Sequence, residues 1–162
     1  MFDTVVTLLV AVAAISAGLM AGVYFAFSGF IMRSFDQLGG ERAADAMNAI
    51  NNVILRSWFM PLFFGSTLLY ALLALLGIVA SDIAGRWSLI ASGLIYVFGM
   101  FATTAGFNVP LNNRLAQADA DSQTKSDVWA HYFKVWTRWN HLRSVCSLIA
   151  LALGMHYLAN FA

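Results

Sequence analysis

The sequence predicts an all-α integral membrane protein, a four-helix bundle that carries two helical extensions on its cytoplasmic side. Hydrophobic residues make up 60% of the 162 residues and charged residues only 10%, whereas roughly 25% of the residues of a soluble domain are charged. Four apolar stretches are each long enough to cross a bilayer, which takes about 20 helical residues. This composition excludes an ordinary soluble globular protein and a disordered chain.

The four apolar stretches predict one span each, and together they form a single domain over residues 1–162. The spans are expected at residues 5–32, 58–80, 87–107 and 140–161. No stretch alternates apolar and polar residues with a period of two, which argues against a transmembrane β-barrel. The first stretch follows Asp3 and is too long for the apolar part of a signal peptide, so we expect it to remain in the mature protein.

The distribution of basic residues predicts the orientation. Of the nine Lys and Arg residues, all but Arg86 lie in or beside the first and third connections. Because basic residues are enriched in cytoplasmic loops, both of these connections should be cytoplasmic and both termini should lie outside. The expected location is the inner (cell) membrane of a bacterium.

The two long connections carry the helical extensions. After the break at Gly39 and Gly40, residues 41–52 are expected to form a helix that runs on towards the second span, with a kink about one turn before Pro61. Residues 123–139 are expected to form a helix that continues without a break into the fourth span.

Loops are expected at two places, residues 34–40 and residues 112–122. The second loop follows from Pro110, which cannot donate a backbone hydrogen bond and disfavours helical geometry at the residue before it. The third span should therefore end near Asn108.

The start of the fourth span has two chemically different faces. On a helix with about 100° between residues, one arc of roughly 80° holds Trp129, Tyr132, Trp136, Asn140, Arg143 and Ser147. The opposite side holds His131, Lys134, Arg138 and His141, a cationic face that suits water or lipid phosphates.

Two interpretations of the aromatic face stay open. It could rest its rings on the bilayer interface, with Arg143 extending to the head groups. Alternatively, Asn140 and Arg143 face a pocket. We favour this interpretation because both residues lie on the aromatic face of the helix rather than on the cationic face that suits water. A guanidinium stays protonated, so burying it requires a partner or an anionic ligand.

Other polar residues gather at the same end of the bundle. Asn108 and Asn112 either cap the last turn of the third span or direct their amides into the pocket. Arg56 either anchors the chain at the membrane surface or joins Arg143 around a shared anion.

The sequence also limits the partners. Nine basic residues against eight acidic ones leave no excess charge for a nucleic acid. The three histidines lack metal-ligand spacing, so we predict no metal and no cofactor. Small residues at Ala14, Gly18, Gly22 and Ala26 allow close helix packing, and we expect a homo-oligomer in membrane lipid.

Three segments occur in an order that resembles a known family. They are GLMAGVYFAFS at residues 18–28, NVPLN at residues 108–112 and WTRWNHLR at residues 136–143. Together they resemble the four-span family of anthrone oxygenase-like membrane proteins, and the resemblance extends over essentially the whole chain.

The resemblance implies an oxygenase that converts an anthrone to an anthraquinone with molecular oxygen and no known cofactor. It implies catalytic roles for four polar residues, with Trp136 as a wall of the site. These four are Asn108, Asn112, Asn140 and Arg143.

The resemblance implies that the protein binds a hydrophobic aromatic small molecule, and the expected substrate is a flat aromatic or polyketide-like molecule. Tyr132 and Trp136 could stack on its rings, and Tyr24 and Arg56 complete the substrate-binding residues that we predict. No general base is evident in the sequence, and His141 is the nearest candidate. The alternative function is that of a non-enzymatic membrane subunit that binds a quinone, a lipid or a partner protein.

Overall fold

The computed structural model describes residues 2–118 and 122–162, with side chains from residue 124 onwards in the second segment. The described residues contain five helices and no strand, and four of the helices are long and apolar enough to cross a membrane. The predicted all-α membrane bundle is therefore confirmed. The helices are α1 (Phe2–Asp36), α2 (Gly40–Ile54), α3 (Phe59–Val79), α4 (Arg86–Gln117) and α5 (Ser122–Asn160).

Helices α1 and α5 form a long antiparallel pair. Near one end, Gly154 of α5 packs against Ala14 of α1, and at the other end the indole of Trp129 donates to a carboxylate oxygen of Asp36 at 2.9 Å. At about 1.5 Å per residue, 35 and 39 residues correspond to lengths of about 52 and 58 Å. A hydrocarbon core of about 30 Å cannot contain them, so both helices project beyond the membrane at the same end.

The projecting ends form a second hydrophobic core with α2. A lysine–aspartate pair, Lys125 with Asp45, fastens α2 to α5. The buried residues of this core are Met32, Ala43, Ala44, Met47, Leu115, Trp129, Tyr132 and Trp136. It is separate from the larger cluster inside the spans, and it places polar and aromatic groups at the edge of the membrane.

The third span does not end at Asn108 as predicted. The prediction of a loop from residue 112 is also wrong for the residues up to Gln117, which are helical. Helix α4 continues to Gln117, with Pro110 at the start of its last α-helical segment, Val109–Gln117. Inside a helix a proline leaves one backbone carbonyl without its usual donor. The π-helical segment Thr104–Asn108 lies directly before the Val109–Gln117 segment, so the helix leaves regular α geometry at this point and then continues. Part of the predicted loop, residues 119–121, lies outside the described residues.

Helices α2 and α3 are separated by a turn rather than joined through a kink. Helix α2 ends at Ile54 and α3 begins at Phe59, so Pro61 lies in the first turn of α3. A proline in that position starts a helix and does not bend one. The break leaves α2 free to fold across the end of the bundle.

Three π-helical segments interrupt the spans near this end. They are Phe27–Ile31 in α1 and both Val97–Ala102 and Thr104–Asn108 in α4. Each contains one glycine. A π turn adds a residue to the helical turn and is frequent at functional sites. Nothing in the hydrophobic periodicity predicted these segments.

Helices α3 and α4 pack closely at Gly93. A Cβ atom there would overlap the Tyr70 carbonyl oxygen and Ala74. The short turn between the two helices contains Gly85, whose φ of +70° suits glycine. Backbone contact without an intervening side chain is the usual way in which helices pack in lipid.

We expect Gly93→Ala to lower the thermal stability of the purified protein, because the new methyl group meets a backbone carbonyl that cannot rotate away. Overpacking of this kind costs about 1–3 kcal/mol. The matched control is Gly65→Ala, where a Cβ would meet no atom within 4 Å, so its melting temperature should be unchanged or slightly higher. Equal melting temperatures for the two variants would contradict this packing.

The predicted orientation can be tested at opposite ends of α3 and α4. Single cysteines at Ser81 and Gln117, both exposed, would be introduced after Cys146, the one cysteine of the chain, is replaced by alanine. A membrane-impermeant maleimide added to intact cells should label the site at position 81 and not the one at position 117. Labelling at position 117 from outside would reverse the orientation.

Candidate functional site

The most unusual group in the bundle is the buried guanidinium of Arg143. One terminal nitrogen, Nη2, donates to Oδ1 of Asn140 at 2.7 Å, and the other, Nη1, donates to the Thr104 hydroxyl at 3.3 Å. Its Cζ lies 4.4 Å from the ring centre of Tyr24 and 5.0 Å from that of Trp136. Aromatic faces attract a cation, by about 2 kcal/mol or more where water is excluded.

The positive charge of Arg143 has no carboxylate partner. Within the described part of the chain, the one ion pair joins Lys125 and Asp45. The Nε–H group of Arg143 is buried and makes no hydrogen bond. Because a buried charge without a counter-charge is costly, the site is suited to an anionic or strongly polar oxygen on a ligand.

Asn140 fixes the position of Arg143 and connects α5 to α1. Its amide nitrogen donates to the Tyr24 carbonyl at 2.7 Å and to the Ser28 hydroxyl at 2.6 Å. Its oxygen is thereby directed at the guanidinium. Ser28 belongs to the π-helical segment of α1, so the irregular backbone supplies one of the two acceptors.

Asn112 connects α4 to the aromatic face of α5. Its Oδ1 accepts from the Tyr132 hydroxyl at 2.8 Å and from the Trp136 indole at 2.9 Å. One turn earlier, the amide nitrogen of Asn108 donates to the Trp136 carbonyl at 3.3 Å, and its oxygen is buried without a partner. These contacts hold the Trp136 ring against the guanidinium.

A cavity of about 450 Å³ opens beside this network, between α1, α2, α3 and α4. Its volume is typical of a small-molecule site, and its lining combines apolar walls with a few polar groups. The aromatic lining comprises Tyr24, Phe27, Phe59, Phe63, Phe64, Phe101 and Trp136. The polar lining comprises Asn51, Asn52, Thr104, Asn112, Asn113 and Arg143.

The predicted two-faced character of α5 is confirmed. Side chains of the aromatic face are buried, and those of the cationic face are exposed. The buried set is Trp129, Tyr132, Trp136, Asn140, Arg143 and Ser147, and the exposed set is His131, Lys134, Arg138 and His141.

The structure brings most of the predicted site residues together, although in two different positions. Four line the cavity, namely Tyr24, Asn112, Trp136 and Arg143. The other three are buried behind the lining and hold it in place, namely Asn108, Tyr132 and Asn140.

Two predicted residues lie elsewhere. Arg56 is exposed and is not part of the cavity, because α2 ends at Ile54 and leaves this side chain in the following turn. His141, the candidate base, lies on the exposed face of α5 and lines a different groove.

Sequence reasoning missed the contribution of α2 and of the phenylalanines. Helix α2 presents Met47, Asn51 and Ile54 to the cavity, at the i, i+4, i+7 spacing of one helical face. The amide nitrogen of Asn51 is buried and unpartnered. That spacing predicts that the three side chains share one face of α2. It does not predict the side of the bundle against which α2 packs.

Sequence comparison relates the chain to a known protein family. The sequence profile of the family described as anthrone oxygenase matches residues 52–153, more than half of the chain. The chain belongs to the anthrone oxygenase family. The match contains Asn108, Asn112, Trp136, Asn140 and Arg143. Tyr24, Asn51 and the segment at residues 18–28 lie outside it. No match is found among curated proteins or among solved structures.

Within the described residues of this anthrone oxygenase family member, no group of three or more His, Cys, Asp or Glu side chains is placed to hold a metal ion. The polar groups at the cavity are instead amides, a hydroxyl and a guanidinium. These groups can donate hydrogen bonds to a ligand oxygen and can stabilise a negative charge.

We expect Asn112→Leu to destabilise the protein, because it leaves the Tyr132 hydroxyl and the Trp136 indole without their acceptor. A buried donor without a partner costs about 1–3 kcal/mol. The control is Asn113→Leu, an exposed neighbour that makes no hydrogen bond in the described part of the chain. Thermal unfolding in detergent should show a clear loss for Asn112→Leu and little change for the control, and equal losses would contradict the bridging role.

Proposed function

We propose that this chain is a membrane-embedded oxygenase that oxidises a flat aromatic, anthrone-like substrate with molecular oxygen. The observation that carries the proposal is the buried Arg143 guanidinium, which has no carboxylate partner and an unpartnered Nε–H and lies at an aromatic-lined cavity of about 450 Å³. Membership of the anthrone oxygenase family supports the reaction class.

The reaction proposed needs no electron donor. An anthrone loses a proton from the methylene carbon opposite its carbonyl and becomes an enolate-type anion. Dioxygen then adds to that carbon, one oxygen atom remains there as a new carbonyl, and the other leaves as water with the two methylene hydrogens. The substrate loses four electrons and dioxygen gains four, so the products are an anthraquinone and water.

Arg143 has the central role in this proposal. Its free N–H would donate to the enolate oxygen, and its charge would favour the anion over the neutral substrate. Hydrogen-bond donors that are fixed in advance around the reacting oxygen are the most effective means of stabilising a developing oxyanion. Asn140 and Thr104 act by fixing the guanidinium, since they occupy its two terminal nitrogens.

The aromatic rings around the cavity determine how a substrate would lie. Trp136 is already in contact with other rings, with centroid distances of 5.9 Å to Tyr132 and 5.6 Å to Phe27, and its face also lies against the guanidinium. Tyr132 does not line the cavity. A flat substrate would therefore contact the rings that line the cavity, among them Phe63 and Phe101, whose centroids lie 5.5 Å apart, rather than Tyr132.

No carboxylate or imidazole is among the described residues that line the cavity. The proposed mechanism therefore uses no protein base: stabilisation of the anion by Arg143 makes the methylene proton acidic enough to pass to water. The same observation favours a second candidate function, a non-enzymatic subunit that binds a quinone or another flat ligand in this cavity.

We expect Arg143→Lys to reduce anthrone turnover by about 100- to 1000-fold, the usual effect of removing an oxyanion donor. Lysine lacks the planar fork that contacts two acceptors and leaves further N–H groups, among them Nε–H, for a ligand. Turnover would be followed as dioxygen uptake together with anthraquinone absorbance in proteoliposomes, after subtraction of the spontaneous oxidation in empty liposomes.

The matched control is Arg138→Lys, the same exchange on the exposed face of the same helix. It should retain wild-type turnover, and both variants should insert and purify like the wild type. Wild-type turnover of Arg143→Lys would refute the proposed role of the guanidinium. Saturable binding of anthrones to the wild-type protein without dioxygen uptake would instead establish the binding subunit.

A further inference from the structure

A second cavity lies on the face of α5 opposite to Arg143. It has a volume of about 360 Å³ and lies between the end of α1 and the first half of α5. We call it the basic groove, and its lining residues are Ser28, Met32, Arg33, Phe133, Lys134, Thr137, Arg138 and His141. None of its residues lines the cavity beside Arg143.

The charge of the basic groove is uniformly positive. Arg33, Lys134 and Arg138 line it without any acidic side chain, and none of the three pairs with a carboxylate in the part of the chain that the structure describes. The nearest acid along α1, Asp36, accepts the indole N–H of Trp129. Three like charges around one cavity repel each other, so an anion between them would be stabilised.

The groove also contains a hydrogen-bond donor that has no acceptor. Thr137 lines the groove, and its hydroxyl is buried and makes no hydrogen bond. Leaving such a group unpaired is unfavourable. A phosphate oxygen between Lys134 and Arg138, which lie one helical turn apart on either side of Thr137, could accept this hydrogen bond.

The position of the groove along α5 matches the depth of lipid head groups. The apolar part of α5 begins at Leu142, so His141 marks the edge of the hydrocarbon region. Arg138 lies three residues further out, about 4–5 Å along the helix, within a head-group layer that is roughly 5–8 Å thick in one leaflet. Lys134, about 10 Å out, lies at the outer boundary of this layer. Met32 and Phe133 add apolar walls that suit the start of an acyl chain.

We propose that the basic groove binds the phosphate of an anionic membrane lipid. Arg33, Lys134 and Arg138 neutralise the phosphodiester, and the Thr137 hydroxyl donates to one of its oxygens. Bound there, the lipid lies against both α1 and α5. Ser28, which lines the groove, accepts the hydrogen bond from Asn140, so the lipid would reinforce the same connection that positions Arg143.

The test compares lipid retention in the purified wild-type protein and in matched variants. Native mass spectrometry would follow titration with phosphatidylglycerol, with phosphatidylcholine as the zwitterionic reference. The variant Lys134→Gln/Arg138→Gln removes two groove charges, and Arg42→Gln/Arg114→Gln removes two exposed charges outside the groove. At about 1 kcal/mol per cation, the groove variant should bind phosphatidylglycerol about 30-fold more weakly, and the control should bind it like the wild type.

Three results would overturn the proposal. The first is equal weakening of binding in both charge variants, which would mean attraction by the overall charge. The second is equal affinity for the two lipids. The third is displacement of phosphatidylglycerol by an equal concentration of inorganic phosphate, which would identify a free anion as the ligand. The variant Thr137→Val keeps the charge and the shape, so weaker phosphatidylglycerol binding in it supports the hydroxyl contact, and unchanged binding refutes that contact.

Discussion

The burial of one guanidinium is the constraint on which the rest of the site depends. Arg143 cannot discharge itself by losing its proton, and no carboxylate in the described part of the chain approaches it. Its charge is balanced only by the rings of Tyr24 and Trp136 and by two neutral oxygens, on Asn140 and Thr104. A carboxylate would have neutralised the charge, whereas these partners leave it available to a ligand.

Holding a charge in this way requires rigid neighbours, and three helices contribute them. Asn140 uses a backbone carbonyl and a hydroxyl on α1 to direct its oxygen at the guanidinium. Asn112 holds the Trp136 ring through the indole N–H. The π-helical segments lie where these contacts are made, because Ser28, Thr104 and Asn108 all belong to them. Irregular backbone is tolerated there because the side-chain network keeps it in place.

The sequence predicted the structure best where the prediction rested on the length or the helical periodicity of an apolar segment. The four apolar runs and the two faces of α5 follow from length and from 100° geometry, and the structure agrees with both. Prediction was poor where backbone hydrogen bonding decides the outcome. Pro110 begins a new helical segment after a π turn instead of ending the span, and Arg56 points away because α2 stops at Ile54. Neither the π register nor the fold of α2 across the bundle leaves a pattern in the hydrophobicity.

The two faces of α5 place positive charge in two different environments. Outward-facing cations such as Lys134 and Arg138 are exposed, and water or lipid phosphates can stabilise their charge at little cost. Arg143, on the opposite face, is buried inside the bundle, where its partners are aromatic rings and neutral oxygens rather than phosphates. A buried arginine without a carboxylate partner adds little to the stability of the fold, because a well-packed neutral side chain could stabilise the same position. The buried charge is therefore best explained by what it can do to a ligand in the adjoining cavity.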